Sequence, residues 1–239
     1  MMKKLLLMSS SRKGSQGYLA HAGEQIHGLL QHQRQHILFI PYAGVTFSFD
    51  EYEGRVKPVF AGLGYDLTSI HHMSDPIAAV NQAQVIAVGG GNTWALLRRM
   101  YDADIVAAIR QRVESGVPYI GWSAGCNVAC PTIRTTNDMP IIAPPSLEAL
   151  GLVPFQINPH FISGKPAGHN GETREERLEE FLAINPQEGL VALPEGNALL
   201  VEDDRATMLG EAPGLAFTLQ GVRELPVGGS FHLSTIKGK

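Results

Sequence analysis

The sequence predicts a three-layer α/β fold built on a mostly parallel, doubly wound sheet, and three observations predict it. Short runs that are apolar at successive positions, such as Val85-Ile86-Ala87-Val88, suit strands covered on both faces. Longer amphipathic segments separate those runs, and strand, helix, strand at this spacing implies right-handed crossovers. From about Gly189 the pattern changes to strand-like runs joined by short turns, which reads as antiparallel C-terminal strands completing the sheet edge.

Taken in order, the apolar run 5–8 is a strand, 18–32 a helix and 37–40 a second strand. A loop over 42–48 leads to a helix over 51–63. Strands follow at 67–70, 85–88, 119–121 and 152–157, separated by helical segments at 77–83, 93–100 and 103–114. The late strands are 191–193, 198–202, 206–209 and 215–219. No linker, repeat or low-complexity stretch interrupts the chain. At about 100–200 residues per domain, its 239 residues read as one domain over 1–239.

Composition excludes several functions. With 44% hydrophobic and 18% charged residues the chain can bury a sizeable core, which rules out disorder and coiled coil. The balance of 19 Lys+Arg against 23 Asp+Glu gives no electrostatic support to a nucleic-acid partner. Behind Lys3-Lys4 the apolar run reaches only from Leu5 to Met8, short of the roughly 7–15 residues of a signal segment and the roughly 20 of a membrane span. A cytoplasmic chain with Cys126 and Cys130 both reduced is expected.

Gly121-Trp122-Ser123-Ala124-Gly125 follows an apolar strand and precedes a segment, 126–130, where a helix is expected to begin. Between strand and helix, Gly-x-Ser-x-Gly makes a tight turn that lifts the serine hydroxyl to the carboxyl edge of the sheet, where open parallel sheets bind ligands. Gly89-Gly90-Gly91-Asn92-Thr93 also joins a strand to a helix, but it lacks the spacing of a nucleotide loop and the Walker lysine. Its amides instead suit an oxyanion hole shared with the amide of Ala124.

A serine needs a histidine base, held in turn by an acid. Among nine histidines, His21, His27, His32 and His36 lie in or beside the first helix and read as solvent-facing. His71 and His72 follow a strand, where neighbours point to opposite faces, so they make a poor ligand pair. His232 falls in the tail and His169 in a Gly-rich loop. His160 is the outstanding candidate: in Asn158-Pro159-His160-Phe161 it follows the strand at 152–157 and can reach the same edge. Two acids compete for the third role. An α/β-hydrolase order of Ser, acid, His selects Asp138, whereas a short flavodoxin-like sheet with its acid on a late strand selects Glu195. Strand ends hold side chains more firmly than loops, which favours Glu195.

Taken together, 89–93, 121–125, 131–140, 156–161, 171–175 and 193–197 make the chain resemble peptidase E. These cytoplasmic α-aspartyl dipeptidases are serine exopeptidases related in fold to the class I glutamine amidotransferases. The resemblance covers nearly the whole chain. It implies a triad of Ser123, His160 and Glu195, oxyanion donors at Gly91 and Ala124, and release of an N-terminal aspartate from dipeptides with a free amine. Cys126 departs from the family's usual small residue and is expected to pack inward, as is Cys130.

Thr173-Arg174-Glu175-Glu176 has capping-box spacing, which sets Arg174 in a first helical turn where the macrodipole disfavours a cation. A guanidinium there suggests a carboxylate-binding role rather than pairing with Glu172 or Glu175. Asn92 and Asp138 are candidates to hold the substrate's ammonium group. The alternatives are a cyanophycinase-like or esterase-type serine hydrolase, or a non-enzymatic flavodoxin-like binder of small molecules. No set of His, Asp and Glu has metal-ligand spacing, so neither metal nor cofactor is expected. The expected substrate is a small peptide, taken by a monomer or homodimer without a nucleic-acid or membrane partner.

Overall fold

Capping and alternation decide where the elements begin and end. The computed structural model describes residues 3–33, 35–165, 167–168 and 170–238. β1 (Lys4–Met8) leads to α1 (Gly23–Leu30), β2 (His36–Ile40) and α2 (Phe49–Gly62), the last opened by a Ser48/Glu51 capping box. β3 (Asp66–Ser69) is followed by a 3₁₀ turn, Ile70–His72, and by α3 (Pro76–Gln82), which has proline at its first position and the Asp75 carboxylate as its cap. β4 (Val85–Val88), α4 (Thr93–Asp102), α5 (Val106–Glu114) and β5 (Tyr119–Trp122) complete the regular alternation.

α6 (Ala124–Asn127) is a single turn that begins two residues earlier than the helix expected at 126–130. Then come β6 (Gln156–Phe161), α7 (Arg174–Ile184), β7 (Leu190–Pro194), β8 (Ala198–Glu202), β9 (Arg205–Leu209), β10 (Gly214–Thr218), β11 (Gly221–Leu225) and β12 (Ser230–His232).

Among the described residues, an eight-stranded sheet runs β12-β9-β8-β1-β5-β4-β2-β3, parallel from β1 to β3 and antiparallel from β1 to β12. Both faces of the parallel part are buried. Leu5, Leu7, Ile86 and Val88 pack on the side of α3, α4 and α5, and Leu6, Met8, Phe39 and Trp122 on the side of α1 and α2. Each such side chain contributes about 1.5–3 kcal/mol on burial. This is the expected doubly wound arrangement.

One expectation changes. The late strands do not all extend one sheet: β8, β9 and β12 do, but β6, β7, β10 and β11 form a second sheet, ordered β11-β10-β7-β6. One face of β6 and β7 joins the main core through Ile157, Val191 and Leu193, and the other receives Leu178 and Leu182 of α7. The strand expected at 152–157 also shifts. Leu152, Val153 and Phe155 are buried but lie outside any strand, and the strand runs from Gln156 across Pro159, where the register with β7 slips between Asn158 and Phe161. Proline lacks a ladder donor and sits at such an irregularity. Among the described residues no helix is long and apolar enough to cross a membrane.

Candidate functional site

Ser123 leaves β5 with φ 52° and ψ −111°, a sparsely populated conformation held by its surroundings. Its amide donates to Met8 O at 3.0 Å, and its carbonyl receives Cys126 N and Asn127 N at 2.9 and 3.0 Å. Two glycines admit this elbow. A Cβ on Gly125 would lie 2.1 Å from Val88 O, and one on Gly121 would lie 2.4 Å from Gly125 O. Cys126 and Cys130 are buried beneath the turn, and burial pushes both thiols well above their ordinary pKa.

His160 stands at the irregularity of β6 with φ 54°. Ser9, one residue beyond β1, fixes it from below: Ser9 Oγ accepts from His160 N at 2.8 Å and donates to Leu193 O at 2.9 Å. Asn137 Nδ2 holds the preceding carbonyl, Pro159 O, at 2.8 Å. Glu195 follows β7 in a turn closed by Asn197 N to Pro194 O and by Gly196 N to Ser10 Oγ. The three side chains meet. His160 Nε2 lies 2.9 Å from Ser123 Oγ, and His160 Nδ1 lies 2.9 Å from Glu195 Oε1. A carboxylate only accepts, so Nδ1 carries the hydrogen and Nε2 is left to accept from the serine hydroxyl.

Asp138, the competing acid, is turned elsewhere. Its Oδ2 accepts from Thr93 N at 2.8 Å and Thr93 Oγ1 at 2.5 Å, so it caps α4, and Glu195 rather than Asp138 faces His160. Asn92 is engaged at both ends of its amide: Oδ1 accepts from Ala95 N at 3.0 Å, and Nδ2 donates to Met139 O at 2.9 Å. Asn92 thus has neither amide atom left for a substrate ammonium group, and Asp138 commits its Oδ2 to the start of α4. Both instead hold the turn that carries Gly91, whose φ of 136° and close approach to Ala43 O exclude a side chain. The amides of Gly91 and Ala124 donate to no other described residue.

A cavity of about 220 Å³ opens at Ser123 and His160, walled by Gly91, Tyr18, Tyr52 and Arg55. Sequence reasoning missed the two tyrosines. Trp122 Nε1 donates to Tyr18 OH at 2.9 Å, Tyr18 OH lies 3.1 Å from Tyr52 OH, and Tyr52 OH donates to Gly90 O at 2.8 Å. This chain of donors ends on the carbonyl of the peptide whose N–H belongs to Gly91. Burial raises both phenols above their usual pKa, so they remain donors. The spacing of Tyr52, Val56 and Phe60 reads as core, and only the hydroxyl of a buried tyrosine hints at a partner. Sequence reasoning missed Ser9 as well, though a polar residue at the carboxyl end of an apolar strand is a signal that could have found it.

A second cavity, of about 280 Å³, is lined by Asn137, Asn158, Arg134, Arg174 and Arg177 among others. The capping box of Thr173 and Glu176 forms as expected and holds Arg174 in the first turn of α7. Glu175 instead accepts from Ser163 Oγ and Gly164 N, and Arg177 lies 3.8 Å from Glu172. Arg174 therefore makes no hydrogen bond or ion pair with another described residue. Burial, then the charge of Arg177, lowers its pKa from the ordinary guanidinium value.

The other histidines divide. His27 Nδ1 lies 2.9 Å from Tyr65 OH, and His232 pairs with Asp204. His21 is half-buried rather than solvent-facing, and burial lowers its pKa from the ordinary imidazole value. His169 lies outside the described residues. The expectation for His71 and His72 is overturned, because they occupy a 3₁₀ turn rather than a strand end and gather with Asp50 and Glu53.

Residues 5–209 match the profile of Peptidase family S51. The chain is 52% identical over 218 residues to "Peptidase E" of Actinobacillus pleuropneumoniae serotype 5b (strain L20), covering 91% of this chain and 93% of that one. It is 46% identical over 210 residues to "Peptidase E" of Nostoc sp. (strain PCC 7120), covering 88% and 87%. In fold it is similar to the crystal structure of a peptidase from an acI-B1 Actinobacterium, with a TM-score of 0.69, 18% identity and 97% of each chain covered.

Proposed function

The chain belongs to peptidase family S51 and is a peptidase, and from that premise we propose that it is a serine dipeptidase releasing N-terminal aspartate from dipeptides with a free amine, by way of an acyl-enzyme on Ser123. The observation that carries this reading is the unbroken run from Glu195 Oε1 through His160 to Ser123 Oγ, with both contacts at 2.9 Å. His160 Nε2 takes the hydroxyl proton as Ser123 Oγ attacks the aspartyl carbonyl. Glu195 stabilises the imidazolium that results. The amides of Gly91 and Ala124 receive the oxyanion, each such donor contributing about 3–4 kcal/mol to the transition state. Imidazolium then protonates the departing amine. Water, deprotonated by His160, clears the ester by the same route in reverse.

The unpaired Arg174 supports the choice of aspartate. Its cavity is lined by Asn158 of β6 and by Asn137, which also holds Pro159 O, and a carboxylate there would complete a guanidinium that the described residues leave without an anion. A charge-assisted hydrogen bond contributes about 1.5–3 kcal/mol. Arg174→Ala should therefore lower kcat/KM about a hundredfold on Asp-Leu and less than threefold on Leu-Leu, collapsing the preference. Equal losses on both would make Arg174 structural. A panel of Asp-, Glu- and Leu-headed dipeptides, with and without an N-terminal acetyl group, tests the whole reading. Cleavage confined to free Asp-Xaa is expected, and acetyl-Asp-Leu hydrolysed as fast as Asp-Leu would refute it.

Tyr52 acts at one remove, by fixing the Gly90–Gly91 peptide that aims an oxyanion donor. For Tyr52→Phe we expect kcat to fall about tenfold, or about 1.4 kcal/mol, with KM within twofold. An unchanged kcat would separate the tyrosine chain from catalysis.

A further inference from the structure

Away from Ser123, four side chains from two elements converge on one point. Asp50 and Glu53 lie one helical turn apart on α2, and His71 and His72 occupy the 3₁₀ turn that ends β3. One ligand-capable atom from each lies within 4.8 Å of all the others. His71 Nε2 is 2.9 Å from Asp50 Oδ1, and His72 Nε2 is 2.7 Å from Glu53 Oε2 and 3.7 Å from Asp50 Oδ1. Ligands about 2.1 Å from a tetrahedral ion stand about 3.4 Å apart, so closing this set around one ion needs the two short pairs to open slightly and the wider ones to draw in.

Two further observations separate it from a pair of surface ion pairs. The imidazole centroids are only 3.9 Å apart, and both Nε2 atoms approach the same carboxylate oxygen, Asp50 Oδ1, at 2.9 and 3.7 Å. Behind His71, the buried Ser69 Oγ lies 2.6 Å from Nδ1, the outer-shell hydrogen bond that orients a metal-ligating histidine. Glu53 is almost fully buried, and Lys57 occupies its other oxygen, Oε1, leaving Oε2 directed at the cluster.

We propose that Asp50, Glu53, His71 and His72 form a binding site for a divalent transition-metal ion of the zinc class, clasping α2 to the turn after β3. Mixed imidazole and carboxylate donors select that class over calcium or magnesium. The site is distinct from the Ser123 machinery, but the helix it pins also carries Tyr52 and Arg55 to the cavity at Ser123.

The test uses the full chain freed of metal by chelator and buffer exchange. Titration with Zn²⁺ in a calorimeter should show one equivalent bound, and Co²⁺ should give the visible absorption of a nitrogen-ligated, low-coordinate site. The double variant His71→Ala/His72→Ala should lose at least a hundredfold in affinity, and Ser69→Ala about tenfold. Asp50→Asn, which alters a mostly exposed side chain and leaves the fold intact, should weaken binding at least tenfold. Absence of a stoichiometric ion in the parent protein overturns the proposal. So does undiminished affinity in Asp50→Asn or in the double variant, which would locate the ion elsewhere.

Discussion

Ser123→Ala is expected to lower kcat on Asp-Leu about 10⁴- to 10⁶-fold while leaving the fold as it is. The size of the loss follows from the site's chemistry. Without a nucleophile the remaining rate comes from the oxyanion donors and binding alone, and the members of such a unit fail together rather than additively. The small effect on stability follows from the structure. Among the described residues the Ser123 hydroxyl hydrogen-bonds only to His160 Nε2, and alanine keeps the Cβ and so meets the same strain at φ 52°. Tm should shift by less than about 4 °C, the equivalent of about 1 kcal/mol for a chain of this size. A variant that retained near-parental turnover would remove serine chemistry from the account.

Glu195→Ala should cost about 10² to 10⁴ in kcat with little change in Tm, because its carboxylate is largely exposed and its one described partner is the imidazole. Asp138→Ala should behave differently. It removes the acceptor of Thr93 N and Oγ1 at the start of α4, whose N-cap Asn92 remains, and should lower Tm by about 2–4 °C for each kcal/mol lost, with a hydrogen bond to a charged group contributing about 1.5–3 kcal/mol. Any loss of activity would travel through the displaced turn at Gly91. Both Thr93 hydrogens arrive at the single oxygen Oδ2, so the amide oxygen of Asp138→Asn should restore most of what Asp138→Ala loses. A negligible effect of Glu195→Ala, or an Asp138→Asn variant as inactive as Ser123→Ala at native Tm, would exchange the two roles.

Much of this was visible before any coordinates. The parallel strands announce themselves because both faces are buried, which leaves runs such as Val85 to Val88 without a polar position. Ser123 is legible because its turn needs glycine on both sides, at Gly121 and Gly125. The contest between Glu195 and Asp138 could not be decided that way. It depends on β6 lying beside β7, and strand periodicity reports burial but not which strand is the neighbour. The same gap hid the second sheet. His71 and His72 were misread because a strand turns successive side chains by 180° whereas a 3₁₀ helix turns them by about 120°. Tyr52 was hidden because an aromatic residue at core spacing carries no mark of where its hydroxyl points.

The most direct test of the central claim is to find the acyl group itself. Protein mixed with an activated aspartyl ester, quenched in acid during turnover, digested and mapped by mass spectrometry should carry one aspartyl group on the Ser123 hydroxyl. His160→Ala should show no such adduct over the same interval. Rapid release of the leaving group from the parent protein with Ser123 unmodified, or with the aspartyl group on another residue, would contradict the account.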